Sequence, residues 1–190
     1  VAAGIAFCLA VCLFCISVRA STLKTLYSFC GQANCADGQR PAAALLMDKN
    51  GRLYGTTASG GDTGQGTAFG LTPSLGKTKW KFQRLHSFCA KDGCKDGESP
   101  QGNLIIDVSG NLYGTTYGEN LGTPKGTVFE LIPQGRRWKH KILRDFDTGR
   151  GRAGQNPLGG LAYQGQISGQ SYDGSSTLYG TNSWGERRSL

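Results

Sequence analysis

The sequence predicts an all-β fold, a β-propeller-like repeat of four-stranded antiparallel blades, incomplete, with about 2.7 blades present. Three observations predict it. The tripeptide Leu-Tyr-Gly returns at 53–55, 112–114 and 178–180, spaced 59 and then 66 residues apart. Each copy holds several short runs of strand-forming residues bounded by glycine, proline or asparagine. No stretch carries the periodicity of an amphipathic helix. A β-solenoid and a sandwich are the alternatives; a solenoid coil usually has a shorter period, and a sandwich gives no reason for one frame to recur.

The first eighteen residues are apolar apart from Ser17 and small residues, and Val18-Arg19-Ala20 then precedes the polar Ser21. This reads as a secretory signal peptide over 1–20, cleaved after Ala20. A membrane anchor is the competing reading, because the apolar stretch is close to the spanning minimum. Three copies follow: repeat 1 over 21–80, repeat 2 over 81–139, and a truncated repeat 3 over 140–190. The chain begins at Val1 without an initiator Met and stops within a copy, so a fragment truncated at both ends is expected.

Each copy reads as four short strands. The first, Leu23 to Phe29, recurs as Lys81 to Phe88 and Lys139 to Phe146. The second and third form a hairpin, Ala43 to Asp48 and Arg52 to Thr57, closed by Lys49-Asn50-Gly51, where Asn-Gly tolerates positive φ. Over the equivalent windows 45–57 and 104–116, eight of thirteen positions are identical. Leu104-Ile105-Ile106 is apolar on consecutive positions, which predicts a strand covered on both faces and therefore stacked sheets. The fourth strand is Gly66 to Thr72, repeated as Gly126 to Ile132, with Phe and Leu two apart on one face. Pro73 and Pro133 are expected to end it. The third copy carries nine extra residues between Leu161 and Leu178, around Gly165-Gln166-Ile167-Ser168-Gly169, placed in a hairpin loop.

These residues resemble the tandem repeats called Gloeo/Verruco, or GloVer, repeats of choice-of-anchor exported proteins. The motifs are Asp37-Gly38-Gln39-Arg40-Pro41 and Asp96-Gly97-Glu98-Ser99-Pro100, then Gly51 to Thr57 with Gly60-Gly61, and Gly126 to Leu131. The resemblance covers about residues 23 to 185. It implies a surface or secreted repeat protein with an anchor at its end, and it brings no catalytic residue. The third copy departs from it, with Gly154-Gln155-Asn156-Pro157 in place of Asp-Gly and Thr181-Asn182 in place of Thr-Thr.

Cysteine usage agrees with export. Outside the leader, Cys30, Cys35, Cys89 and Cys94 form two Cys-x-x-x-x-Cys loops, and local pairing within each loop is the expected disulfide framework. A zinc site would require thiolates of two units to converge on one ion. Reduced, buried thiols are a third reading. The net charge of +8, or +7 without Arg19, is spread along the chain and forms no dense stripe. Nucleic acid is therefore not an expected partner. Arg136-Arg137 and Arg187-Arg188 read as solvated pairs.

No catalytic constellation, cofactor motif or metal motif emerges. His86 and His140 occupy non-equivalent strand positions and read as structural. Asp37 and Asp96 sit in equivalent loops and are candidate ligand contacts, against a turn role for each carboxylate. Asp48 and Asp107 read as turn residues. Tyr54, Tyr113 and Tyr179, and likewise Trp80 and Trp138, read as packing between units. Trp184, which is not repeated, is a further candidate contact. The functional expectation is an exported, non-catalytic binding or structural module at the cell surface, with polysaccharide or the cell envelope as candidate partner. Membrane contact would come only through the leader or a missing anchor. The alternatives are a fragment of an extracellular carbohydrate-active enzyme, and a passive spacer.

Overall fold

The computed structural model describes residues 23–77, 79–118, 125–146 and 154–183. The leader at 1–20 and Trp184 lie outside them. Two four-stranded antiparallel meanders and a two-stranded hairpin follow one another along the chain. The first sheet comprises β1 (Leu46–Met47), β2 (Leu53–Thr57), β3 (Thr67–Pro73) and β4 (Trp80–Ser87) in that order. The second comprises β5 (Ile105–Ile106), β6 (Leu112–Thr116), β7 (Thr127–Gln134) and β8 (Arg137–Asp145). A hairpin of β9 (Ala162–Tyr163) and β10 (Leu178–Tyr179) follows, and the extra residues of the third copy form the loop between them. Among the described residues there is no α-helix, only short 3-10 turns.

The outer strands correct the sequence-based allotment. Residues 81–88 and 139–146, expected to open the second and third copies, are instead joined to β3 and β7 and close the sheet before them. Each sheet therefore straddles the boundaries drawn after residues 80 and 139. Leu23 to Phe29, expected to be a strand, joins no ladder. Its counterparts are strands because β3 and β7 lie alongside them. β3 ends at Pro73, as expected, whereas β7 runs through Pro133 to Gln134. At Pro133 this is tolerated because β6 reaches only as far as the Leu112–Leu131 pair, leaving β8 as the sole neighbour.

Side-chain alternation explains how the sheets stack. In β2, Leu53 points to one face, with Phe69 and Leu71 of β3, while Tyr54 points to the other with Ala68. Tyr54, Ala68, Leu85 and Phe88 of the first sheet meet Leu104, Leu112, Phe129 and Leu131 of the second in one core. The opposite face of the second sheet, Ile105 and Tyr113, packs on Leu161 and Tyr172 of the third unit. The consecutive apolar residues of 104–106 thus serve both faces, as the sequence predicts: Leu104 and Ile106 join one core and Ile105 the next.

The glycine of Leu-Tyr-Gly has a packing reason. Gly55 pairs with Phe69 and Gly114 with Phe129 across the ladder, and each phenyl ring lies over the glycine. A Cβ on Gly114 would stand 2.6 Å from Phe129 Cζ and 2.7 Å from Leu104 Cδ2. The threonines that follow have a hydrogen-bonding reason. Thr57 and Thr67 share a buried Oγ1···Oγ1 bond of 2.9 Å, and Thr116 and Thr127 one of 2.8 Å.

The two contact layers of the first sheet are built alike. Segment 23–29 lies on the Phe69 face, with Phe29 edge-on to Phe69 at 4.7 Å and Tyr27 stacked on Phe82 at 4.6 Å. One period later Phe88 stands edge-on to Phe129 at 5.0 Å, and His86 stacks on His140 at 4.2 Å. His86 thus occupies the place of Tyr27, and His140 that of Phe82. Between the two sheets Asn103 Oδ1 accepts from Ala44 N–H at the inner strands, and Gln83 Nε2 donates to the Arg136 carbonyl at the outer ones.

Candidate functional site

Both ends of the stack carry recurring polar residues, with opposite fates. At one end lie the loops that link one sheet to the next. Cys30 is bonded to Cys35 and Cys89 to Cys94, so the sulfurs are consumed within each loop. Cys89, Cys94 and Glu98 converge, but the two cysteines are bonded to each other and offer no thiolate. Asp37 and Asp96 sit beneath these loops with side chains fully enclosed. Asp37 accepts from Tyr27 O–H at 2.8 Å and from the backbone N–H groups of Gly31 and Gln32. Asp96 faces His86 Nε2 at 3.1 Å and accepts from Ala90 and Lys91 N–H.

Burial pushes the Asp96 carboxyl upward. The bonds from His86 and the backbone together outweigh it and hold the group below its ordinary value of 3.8, as the Tyr27 and backbone bonds do for Asp37. Burial and the neighbouring Asp37 in turn raise the Tyr27 phenol to about 12. Both carboxylates organise the loop that contains them.

At the other end lie the β1–β2 and β5–β6 turns. Asp48 Oδ1 accepts from Asn50 and Arg52 N–H, and Asp107 Oδ1 from Ser109 and Asn111 N–H, the hydrogen bonding of an Asx turn. The second oxygen of each carboxylate meets the tyrosine of the Leu-Tyr-Gly frame. Tyr54 O–H reaches Asp48 at 3.3 Å and Tyr113 O–H reaches Asp107 at 2.9 Å. Burial, with Asp107 and Glu130 beside it, drives the Tyr113 phenol well above 10 and keeps it a donor.

Sheet stacking sets these two turns side by side with a groove of about 530 Å³ between them. Its volume falls in the range of ~300–1,000 Å³ usual for small-ligand sites. Tyr54 and the half-buried Trp138 line it, their rings edge-on at 6.1 Å. Asp48, Lys49 and Arg52 form one polar wall, and Asp107 with Ser109 the other. The described ion pairs use neither Lys49 nor Arg52.

At the next interface a residue of the insertion covers the frame tyrosine. There Tyr172, from the third copy's extra residues, stands edge-on to Tyr113 at 5.1 Å, and its carbonyl accepts from Val108 N–H. The insertion thus sets a ring edge-on to Tyr113 as β8 sets Trp138 edge-on to Tyr54 one period earlier. Tyr179, the third copy's tyrosine, is exposed.

Sequence reasoning places Asp48 and Asp107 in turns and Tyr54 and Trp138 in packing, and both placements hold. It misses that the turns of successive sheets face each other across an aromatic floor. The available signal was the Asp-x-x-Gly-x-Leu-Tyr spacing, present at 48–54 and 107–113. The sequence model of the Gloeobacter/Verrucomicrobia repeat family matches residues 12–188. No curated protein matches the chain.

Proposed function

Because the chain belongs to the Gloeobacter/Verrucomicrobia repeat family, we propose that it is an exported, non-catalytic, propeller-like binding module that holds polysaccharide at the groove between its first two sheets. The observation that carries this reading is the groove itself: an aromatic floor of Tyr54 and Trp138 between two polar turns. An aromatic face stacks on the apolar face of a sugar ring, while carboxylate, guanidinium and hydroxyl groups at the rim bond its hydroxyls. Two local disulfides favour an oxidising compartment. No described helix is long and apolar enough to cross a membrane. Meanders that stack in series with a common period are what a propeller ring is built from.

Screening the protein against a glycan array, then titrating the best oligosaccharide, tests the reading. Trp138→Ala is expected to weaken binding about tenfold, equivalent to ~1.4 kcal/mol. Far-UV dichroism checks that the variant keeps its sheets. Absence of any glycan binding, or equal affinity of the variant, overturns the proposal. Release of reducing sugar would replace it with an enzymatic role.

A further inference from the structure

The first two sheets are joined by a contact that the other layer of the first sheet does not share. His86 and His140 lie face to face, with ring centroids 4.2 Å apart and planes 8° from parallel. One period earlier the same two places hold Tyr27 and Phe82, stacked at 4.6 Å. Among the described residues, both His140 ring nitrogens are buried without a hydrogen-bond partner. Phe88 and Phe129 pack around its ring. From the linking loop the charged groups acting on it are Asp96 and Lys91, and from β4 it is His86.

We propose that the His86–His140 stack is an acid-operated latch between the first and second sheets, closed at neutral pH and released by protonation. A proton added to His140 creates a cation with no acceptor, against a second imidazole and two phenyl rings. Separating the sheets gives that cation water. Burial first, and then the charge of His86, lower His140 from 6.5 to about 3, against the opposing pull of Asp96. The sign follows from linkage. With the closed-state value depressed, the open state binds more protons below 6.5, so the latch is at full strength above that value and weakens as pH falls towards about 3. The Tyr27–Phe82 layer has no such dependence in this range, since Tyr27 stays neutral up to about 12.

Opening would also part the walls of the groove, because Tyr54 and Trp138 belong to the same core as Phe88 and Phe129. That consequence rests on the proposed binding role; the latch itself does not.

Hydrogen exchange of the disulfide-intact chain tests the latch without any sugar, once intrinsic pH effects are corrected. Between pH 7 and 4.5, exchange in β4 and β8 is expected to accelerate at least ~tenfold. His140→Phe with His86→Tyr reproduces the pair of the other layer and should abolish the acceleration. A wild type whose exchange does not change, or a double variant that keeps the full acceleration, overturns the proposal. So does an NMR titration in which His140 of the folded protein protonates near 6.5, a readout that needs no variant.

Discussion

Phe129→Ala is expected to destabilise the protein by about 3–5 kcal/mol, the usual cost of removing a fully enclosed phenyl ring. Phe129 has no accessible surface. Its ring covers Gly114, stands edge-on to Phe88 and lies 5.9 Å from His140. The truncation therefore empties space in three directions at once. Gly114 has no side chain to move into the void, and the phenyl of Phe88 is held on the other sheet. Chemical denaturation followed by tryptophan fluorescence and by far-UV dichroism measures the loss, and a cost below about 1 kcal/mol would mean that the two sheets do not share this core. Leu143→Ala, at a half-exposed place on β8, should cost far less.

Asp96→Ala is expected to cost about 1–3 kcal/mol at neutral pH, the range for leaving an enclosed donor without its acceptor. The variant leaves His86 Nε2 and the Ala90 and Lys91 N–H groups without their acceptor in an enclosed site. It also loosens the Cys89–Cys94 loop, so dithiothreitol should reduce that bond faster than the Cys30–Cys35 bond, which Asp37 still supports. The folded-state carboxyl lies below 3.8, so its stabilisation is present above that value and is lost as pH falls through the depressed one. The stability difference between wild type and variant should shrink in acid. Equal reduction rates for the two disulfides would show that Asp96 does not organise its loop.

Much of this architecture is legible because the period makes equivalent residues visible. Leu53 and Leu112, Tyr54 and Tyr113, and the glycines after them fall 59 apart, and alternation then assigns each to a face. The consecutive apolar run 104–106 reveals a strand between two cores for the same reason. Sheet membership is less legible. Residues 81–88 lie between two copies, and only the ladder to β3 decides which sheet they complete. The groove is hidden because each turn reads locally as an Asx turn, and its facing wall lies 59 residues away.

The histidines show the same limit. They are non-equivalent in register, as the sequence indicates, yet positions 86 and 140 are stacking partners across an interface. The pairing of Tyr27 with Phe82 one period earlier was the clue. Asp37 and Asp96 illustrate a different case. Recurrence in equivalent loops suggests a ligand contact as readily as a turn, and only their enclosure beneath the disulfide loops shows where each oxygen is engaged.

A double-mutant cycle between Phe88 and Phe129 tests most directly whether successive sheets cover one another's apolar faces. Phe88, directly after β4, and Phe129, on β7, meet at 5.0 Å with planes 60° apart. Phe88→Ala, Phe129→Ala and the double variant, compared by chemical denaturation, should reveal a coupling of about 1 kcal/mol. Costs that add to within about 0.3 kcal/mol would mean that the two rings do not touch, and would contradict the stacked arrangement.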